Sequence, residues 1–315
     1  MKIAVIGHLA RDIFHLGADD GDSEKIVESY GGIFYSVASL ANLLSPGDKI
    51  FPVFGVAEEW YDSCVERLEH CGNVETKGIF KLREEPNRVH YFKGPSGART
   101  ECSKHIASPI PFSRIKPFLD VDGVLINMAS GFDITLETLD EIRMQIQEEK
   151  IPIHLDFHML TRGIDKNHNR FPRPLTDWRR WCFMINSVQL TEDEAAGVSA
   201  ERYDEATLIN QLMPLMVSAL VITRGERGAT LIRQEHKKLF RHEVSAAPMP
   251  SAVDTTGCGD VFGAAFLAEY LTSHDFLKSA NAATRAAAIK STFLGADKLD
   301  TLKARIEAGP PEASS

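Results

Sequence analysis

Asp254-Thr255-Thr256-Gly257-Cys258-Gly259-Asp260 runs directly into Val261-Phe262-Gly263-Ala264-Ala265-Phe266-Leu267, and the rest of the chain falls into place around it. Two carboxylates six residues apart enclose two glycines, and an apolar run starts at the second carboxylate, so the segment reads as a loop turning into a helix. The N–H groups of Gly257, Cys258, Gly259 and Asp260 then point out of a helix N-terminus, where unpaired donors and the helix dipole favour an anion. Asp260 stands at the mouth of that site. Phosphoryl transfer to a hydroxyl uses such a pair: the amides take up charge on the transferred group, and the carboxylate accepts the proton of the attacking alcohol. The helix terminus is expected to hold the Asp260 pKa down. Taken by itself, Gly-x-Gly-Asp also reads as a plain helix N-cap, because Asp before an apolar run caps helices routinely.

The bulk of the sequence narrows the class. Its 315 residues suffice for one large α/β domain or two small ones, with 43% hydrophobic and 25% charged residues. Forty-four acidic against 35 basic residues give a net charge of −9, which argues against a nucleic-acid partner, since phosphate backbones demand a basic face. The five cysteines are scattered and include no Cys-x-x-Cys pair, so neither a zinc site nor a disulfide framework is expected. The apolar run from Ile3 to Ile6 is too short for a signal peptide, and no stretch approaches a membrane span. The expectation is a cytoplasmic protein without a membrane or nucleic-acid partner.

Along the chain, Lys2 to Gly7 reads as a buried strand ending in glycine, the usual start of a doubly wound α/β unit. A helix pattern follows from Ile33 to Pro46, then a strand at Ile50–Val56 and an amphipathic helix over 58–71. From residue 123 strand and helix alternate again: strands Gly123–Met128, Ile151–Phe157, Cys182–Leu190 and Leu220–Thr223, helices 134–148 and 204–217, and a hairpin at 229–242. Such alternation implies a mainly parallel sheet flanked by helices. Arg88–Phe92 and Thr100–Cys102, around the turn Gly94-Pro95-Ser96-Gly97, read as short antiparallel strands. With residues 12–30 they are expected to form a small separate sheet. Residues 163–177, rich in Asn, Asp, Pro and charge, read as an exposed loop, and 311–315 as a disordered tail.

The opening string closely resembles the Asp-Thr-x-Gly-Ala-Gly-Asp-x-Phe signature of the ribokinase-like (PfkB) carbohydrate kinases, with Cys258 as the one departure. The resemblance implies a three-layer α/β/α domain over residues 1–310, with a β-sheet lid drawn from about 12–30 and 86–106. It also implies an ATP- and Mg²⁺-dependent kinase acting on a hydroxyl of a small polyhydroxylated acceptor, with Asp260 as base and the Gly257, Cys258 and Gly259 amides as anion hole. Thr223, Gly225 and Gly228 fit the family's Thr-x-Gly-x-x-Gly, which meets the nucleotide. Asn281, in Ala280-Asn281-Ala282-Ala283, fits the Asn beside the adenine. Asp12, five residues after Gly7, fits the acid that accepts hydrogen bonds from two acceptor hydroxyls, a task suited to a carboxylate, and Gly31-Gly32 fits the glycine pair at which backbone meets sugar.

Three positions depart from, or leave open, the family pattern. Ser36 stands where the family has Asn, and Ile33, Phe34 and Tyr35 make the acceptor side apolar, so a nucleoside kinase, or a non-catalytic nucleotide-binding relative, is the alternative reading. Glu194 fits the family acid that orients Mg²⁺ through water, with Thr191 replacing Asn, yet Thr191-x-x-Glu194 is equally a capping box. In some relatives the Asp254–Thr255 segment and residues near Gly295-Ala296 help bind potassium, and the sequence leaves cation activation open. The small sheet reads either as a simple lid or, as in some relatives, as the clasp of a homodimer. His154, Asp156 and His158 alternate, reading either as a metal trio or as one lined strand face.

Overall fold

The computed structural model describes residues 1–17, 25–93, 99–236, 238–248 and 252–309. The first half builds β1 (Lys2–Gly7), β2 (Leu9–Leu16), β3 (Lys25–Gly32), α1 (Ile33–Leu43), β4 (Lys49–Ala57), α2 (Glu58–Glu69), β5 (Ile79–Leu82), β6 (Asn87–Lys93), β7 (Arg99–Lys104) and α3 (Phe112–Ile115). There follow β8 (Gly123–Asn127), α4 (Leu136–Ile146), β9 (Ile153–Asp156), β10 (Arg162–Ile164), β11 (Arg170–Pro172), α5 (Trp178–Phe183), β12 (Ser187–Thr191), α6 (Glu192–Gly197) and α7 (Glu205–Leu212). The chain closes with β13 (Ala219–Thr223), β14 (Ala229–Glu235), β15 (Lys238–Val244), α8 (Cys258–Ser273), α9 (Phe276–Lys290) and α10 (Leu302–Ala308).

Nine strands form the main sheet in the order β15-β14-β13-β12-β9-β8-β1-β4-β5. It is parallel from β13 to β5, and β14 and β15 extend it antiparallel. The period-two alternation of a strand splits its apolar residues between two faces. In β1, Ile3 and Val5 join the core under α1, α8 and α9, while Ala4 and Ile6 join the core under α4, α5 and α7. All four are fully buried. Both faces of the sheet are therefore covered, giving the three layers expected.

A second sheet, β3-β2-β6-β7, stands apart from the first. β2 pairs antiparallel with β3 and parallel with β6, and β6 pairs antiparallel with β7. The expected small sheet is thus present; its 94–97 turn lies outside the described residues, as does the 311–315 tail. Two other expectations are corrected. Cys182 and Phe183 end the short helix α5, and the strand begins only at Ser187. Residues 163–177 are not a bare loop: β10 and β11 form an antiparallel hairpin, whose far end pairs Asn169 with Cys102 of β7. Each of its strands has three residues, too few for a period-two pattern to register in sequence.

No helix among the described residues is long and apolar enough to cross a membrane.

Candidate active site

The C-terminal ends of the parallel strands converge on one cleft, the position where open α/β sheets bind ligands. It holds about 1100 Å³ and runs from Asp12 and Tyr91 on the small sheet to Thr223 and Gly228 at the far end of the main sheet, passing the 255–260 loop. Asp12, Gly32, Thr223, Gly225, Gly228, Gly257, Cys258, Gly259 and Asp260 all line it. Gly31, Ser36, Glu194 and Asn281 are not among its lining residues.

Helix α8 begins at Cys258, with Gly257 as N-cap at φ 78°, a left-handed backbone that glycine adopts without strain. A Cβ there would also fall 2.4 Å from the Tyr35 ring. Asp254 shapes the approach by accepting from the Thr256 N–H at 2.9 Å, from the Thr256 hydroxyl at 2.6 Å and from the Gly295 N–H at 3.2 Å. The Cys258 N–H is used within the turn, donating to the Thr255 carbonyl at 3.2 Å. The Gly257 and Gly259 amides find no backbone acceptor among the described residues, so of the three amides expected to form an anion hole these two are open. Gln189 braces the loop from β12: its amide donates to the Gly259 carbonyl and to Asp156, each at 2.9 Å.

Asp260 sits in the first turn of α8. Asn127, at the end of β8, donates to its Oδ1 and to the Ser36 hydroxyl, and Ser36 donates to the Asp260 carbonyl at 3.3 Å. Ser36, expected to touch the acceptor, is instead buried at 1% exposure against Asp260. The Asp260 pKa is raised, not lowered as expected. Burial outweighs everything that favours the anion, namely the His158 charge, the Asn127 N–H, its own backbone N–H and Lys290. The helix terminus is a partial charge, and desolvation of a full charge is the larger effect here.

At the acceptor end, Asp12 is 1% exposed. Its carboxylate accepts the Tyr35 hydroxyl at 2.8 Å and the Tyr91 hydroxyl at 3.4 Å. A Cβ on Gly31 would lie 2.3 Å from that carboxylate, which is why glycine precedes Gly32. Ile33 and Phe34 turn into the core, so the apolar lining expected beside the acceptor is not theirs. Arg162 and Arg170, from the hairpin overlooked in the sequence, also line this end, with Thr100 and Glu101 of β7.

At the other end the cleft is walled by Ala246, Ala247, Pro248, Thr284, Ala287 and Ala288. Asn281 lies on an exposed part of α9, beside a neighbouring depression that shares Ala247, Pro248 and Thr284 with the main cleft; its amide donates to the Leu277 carbonyl. Thr191 and Glu194 form a complete capping box at the start of α6. Glu194 also meets the His158 Nδ1 at 3.3 Å. Burial works against protonation of His158, but the hydrogen bond and charge of Glu194, with Asp156 and Glu101, raise its pKa to about 9. The metal trio does not form. β9 ends at Asp156, His154 is fully buried against Phe266, Ser187 and Gln189, and burial lowers its pKa to about 4. No group of three metal-ligating side chains occurs among the described residues.

Residues 171–301 match the model of the pfkB family carbohydrate kinases. The resemblance in the sequence is borne out. No curated protein matches the chain, but solved structures do. A ribokinase from Thermotoga maritima superposes with a TM-score of 0.75 at 18% identity, over 97% of this chain and 98% of that one. A pyrophosphate-dependent kinase in the ribokinase family, solved as a sulfate complex, gives 0.75 at 16% identity, over 97% and 100%. A ribokinase from Arabidopsis thaliana complexed with ribose and ATP gives 0.70 at 18%, over 98% and 95%. The chain has the ribokinase-like fold, and the matched PfkB segment contains the anion loop, the Thr223–Gly228 turn and Asn281.

Proposed function

We propose that the protein is a kinase that moves a phosphoryl group from ATP to a hydroxyl of a sugar or sugar-like polyol. The observation that carries this reading is Asp260 on the first turn of α8, beside the open Gly257 and Gly259 amides and in one cleft with Asp12. Asp12 accepts hydrogen bonds from acceptor hydroxyls, with Tyr35 and Tyr91 fixing its orientation. Asp260 takes the proton of the attacking hydroxyl, and its raised pKa makes it a stronger base than a free carboxylate. The two amides and the helix terminus receive the charge of the transferred group.

ATP as the donor is supported by the slot at the far end, where Ala246, Ala247, Pro248, Ala287 and Ala288 offer apolar surface to a base. Arg224 there is tied to Glu192 and Glu205. Mg²⁺ neutralises phosphate charge when bound, and it keeps most of its waters in sites of this kind. The oxygens that would hold those waters are Asp156 and Asp193, which line the cleft, with Glu194 one step behind through His158.

A monovalent cation does not fit. Asp254 and Gly295 do come together, but the ammonium of Lys290 meets Asp254 Oδ2 at 3.5 Å and donates to the Phe293 carbonyl at 3.0 Å. The positive charge is therefore supplied by the chain.

Release of ADP with a panel of pentoses, hexoses, polyols and nucleosides tests the reading. Asp260→Asn is expected to fold and bind ATP while turnover falls by about 10²–10⁴-fold. Turnover close to wild type in that variant would overturn Asp260 as base.

A further inference from the structure

The hairpin β10–β11 brings two guanidinium groups to the acceptor end of the cleft. Arg170 is fixed there by donating from Nε to the Ser103 hydroxyl of β7 at 2.8 Å, and its Nη1 is buried without a partner. The Arg162 side chain makes no hydrogen bond or ion pair among the described residues, although it is half-buried. The two feel each other's charge, since Arg162 works against the cationic form of Arg170, and burial of Arg170 acts in the same direction. Glu101, Asp133 and Tyr91 oppose those effects. On this side the cleft is also lined by His158 and by the carboxylate of Asp12.

Arg170 keeps its bond to Ser103 and the favourable charges of Glu101 and Asp133, but its buried Nη1 has no acceptor and a second guanidinium beside it adds repulsion. An anion entering between the two supplies the missing acceptor and offsets that repulsion. Arginine is suited to this, because its planar fork meets a carboxylate or phosphate with two parallel hydrogen bonds. The position excludes the far phosphates of the donor as the intended anion. Arg170 is anchored on β7, next to Glu101 and Tyr91, and Tyr91 itself holds Asp12. The alanine-walled slot lies at the opposite end, beyond the 255–260 loop.

Resting on the kinase reading above, we infer that the acceptor is an anionic polyol, a sugar acid or a sugar phosphate, whose charged group is held by Arg162 and Arg170 while its hydroxyls meet Asp12. The hairpin is then the specificity element of the site. It reaches the acceptor from the main sheet and ties itself to the small sheet, through the Cys102–Asn169 bridge and the Ser103–Arg170 hydrogen bond, on the side where the acceptor enters.

The test separates binding from turnover. Thermal shift of the full chain is measured with D-gluconate and D-glucuronate as carboxylates, D-glucose 6-phosphate and D-ribose 5-phosphate as phosphates, and D-glucitol, D-glucose, D-ribose and adenosine as neutral counterparts. ADP release is followed with the same compounds. At least one anionic compound is expected to stabilise the protein more than its neutral counterpart, and the arm that does so tells carboxylate from phosphate. With that compound, Arg162→Gln is expected to raise KM by about tenfold or more, the cost of one lost charge-assisted hydrogen bond, with kcat and the KM for ATP little changed. Arg170→Gln serves as the second variant, and Arg162→Lys should recover part of the loss by keeping the charge without the fork.

Neutral compounds turned over as well as the anionic ones, or no stabilisation by any anionic compound, would overturn the inference and leave the kinase reading standing. A rise in the KM for ATP alone would assign the arginines to the donor and overturn it too. Anionic compounds that bind through Arg162 without ADP release would keep the inference and sink the kinase reading.

Discussion

Asp260 owes its chemistry to neighbours contributed by distant parts of the chain. Burial raises its pKa, and the Asn127 amide is one of the groups that pull it back. As the proposed base, Asp260 works only when ionised, so activity is expected to rise with pH through its folded pKa, with the acid limb of kcat/KM above the ordinary carboxylate value of 3.8. Asn127→Leu keeps the approximate volume and removes the donor. Its acid limb is therefore expected at higher pH than that of the wild type, and a limb that stays in place or moves down would show that Asn127 does not tune the base. The difference between motif and neighbours also explains what could be read from the sequence. The 254–260 string is contiguous, so glycine, carboxylate and helix start are all visible together. Ser36 was legible as a departure but not as a support of Asp260, because its partner lies 224 residues away. Asn127 and Gln189 carry no local signal: one ends the buried strand β8 and the other sits in the middle of β12, and only the sheet order places them beneath the loop.

Short elements carry most of what was misread. The capping box of α6 is visible as Thr191-x-x-Glu194, but the histidine that pairs with its Glu194 comes from the turn after β9. His158 has a pKa of about 9 against an ordinary value of 6.5, and the partner that raises it is Glu194. A group whose folded pKa is raised contributes stability that is fully present below the unfolded value and lost as pH climbs through the folded one. The contribution of this pair is thus expected to be complete below about pH 6.5 and to disappear by about pH 9. The His158 side chain is 41% exposed, so the amplitude is that of a solvent-screened pair, about 1 kcal/mol or less. Melting temperatures of wild type and His158→Gln, taken across this window, should differ at its acid end and converge at its alkaline end. A constant difference would mean that His158 acts by packing, not by charge. The β10–β11 hairpin leaves no pattern in the sequence for a related reason. Composition marks 163–177 as polar, and polarity alone does not distinguish a loop from a hairpin whose strands are three residues long.

At the scale of the whole molecule, the fold was legible because a doubly covered parallel sheet writes itself into sequence as buried apolar runs alternating with helices. What such alternation cannot show is how remote segments are locked around the site, and Lys290 is the clearest instance. It is fully buried at the end of α9, with its ammonium 3.5 Å from Asp254 Oδ2, 5.7 Å from the centre of the Tyr35 ring and 5.0 Å from that of Phe293. Those contacts join α1, the anion loop and the segment before α10, and Ser29 of β3 reaches the same segment through the Ala296 N–H at 2.9 Å. In sequence Lys290 is one more basic residue near a helix C-terminus, where lysine is common. In the fold it is the counter-charge of a buried carboxylate that orders Thr256 and, through it, the approach to Gly257. Lys290→Met retains most of the volume and removes the charge, and with it the ion pair to Asp254. The expected cost is about 3–5 kcal/mol, the range for breaking a buried pair from one side, with a fall in kcat because the loop loses its brace. In the wild type the same argument requires indifference to potassium: replacing KCl by tetramethylammonium chloride at constant ionic strength should leave both the melting temperature and ADP release unchanged. A marked loss of wild-type rate on that exchange would mean that the Lys290 ammonium does not supply the charge this loop needs.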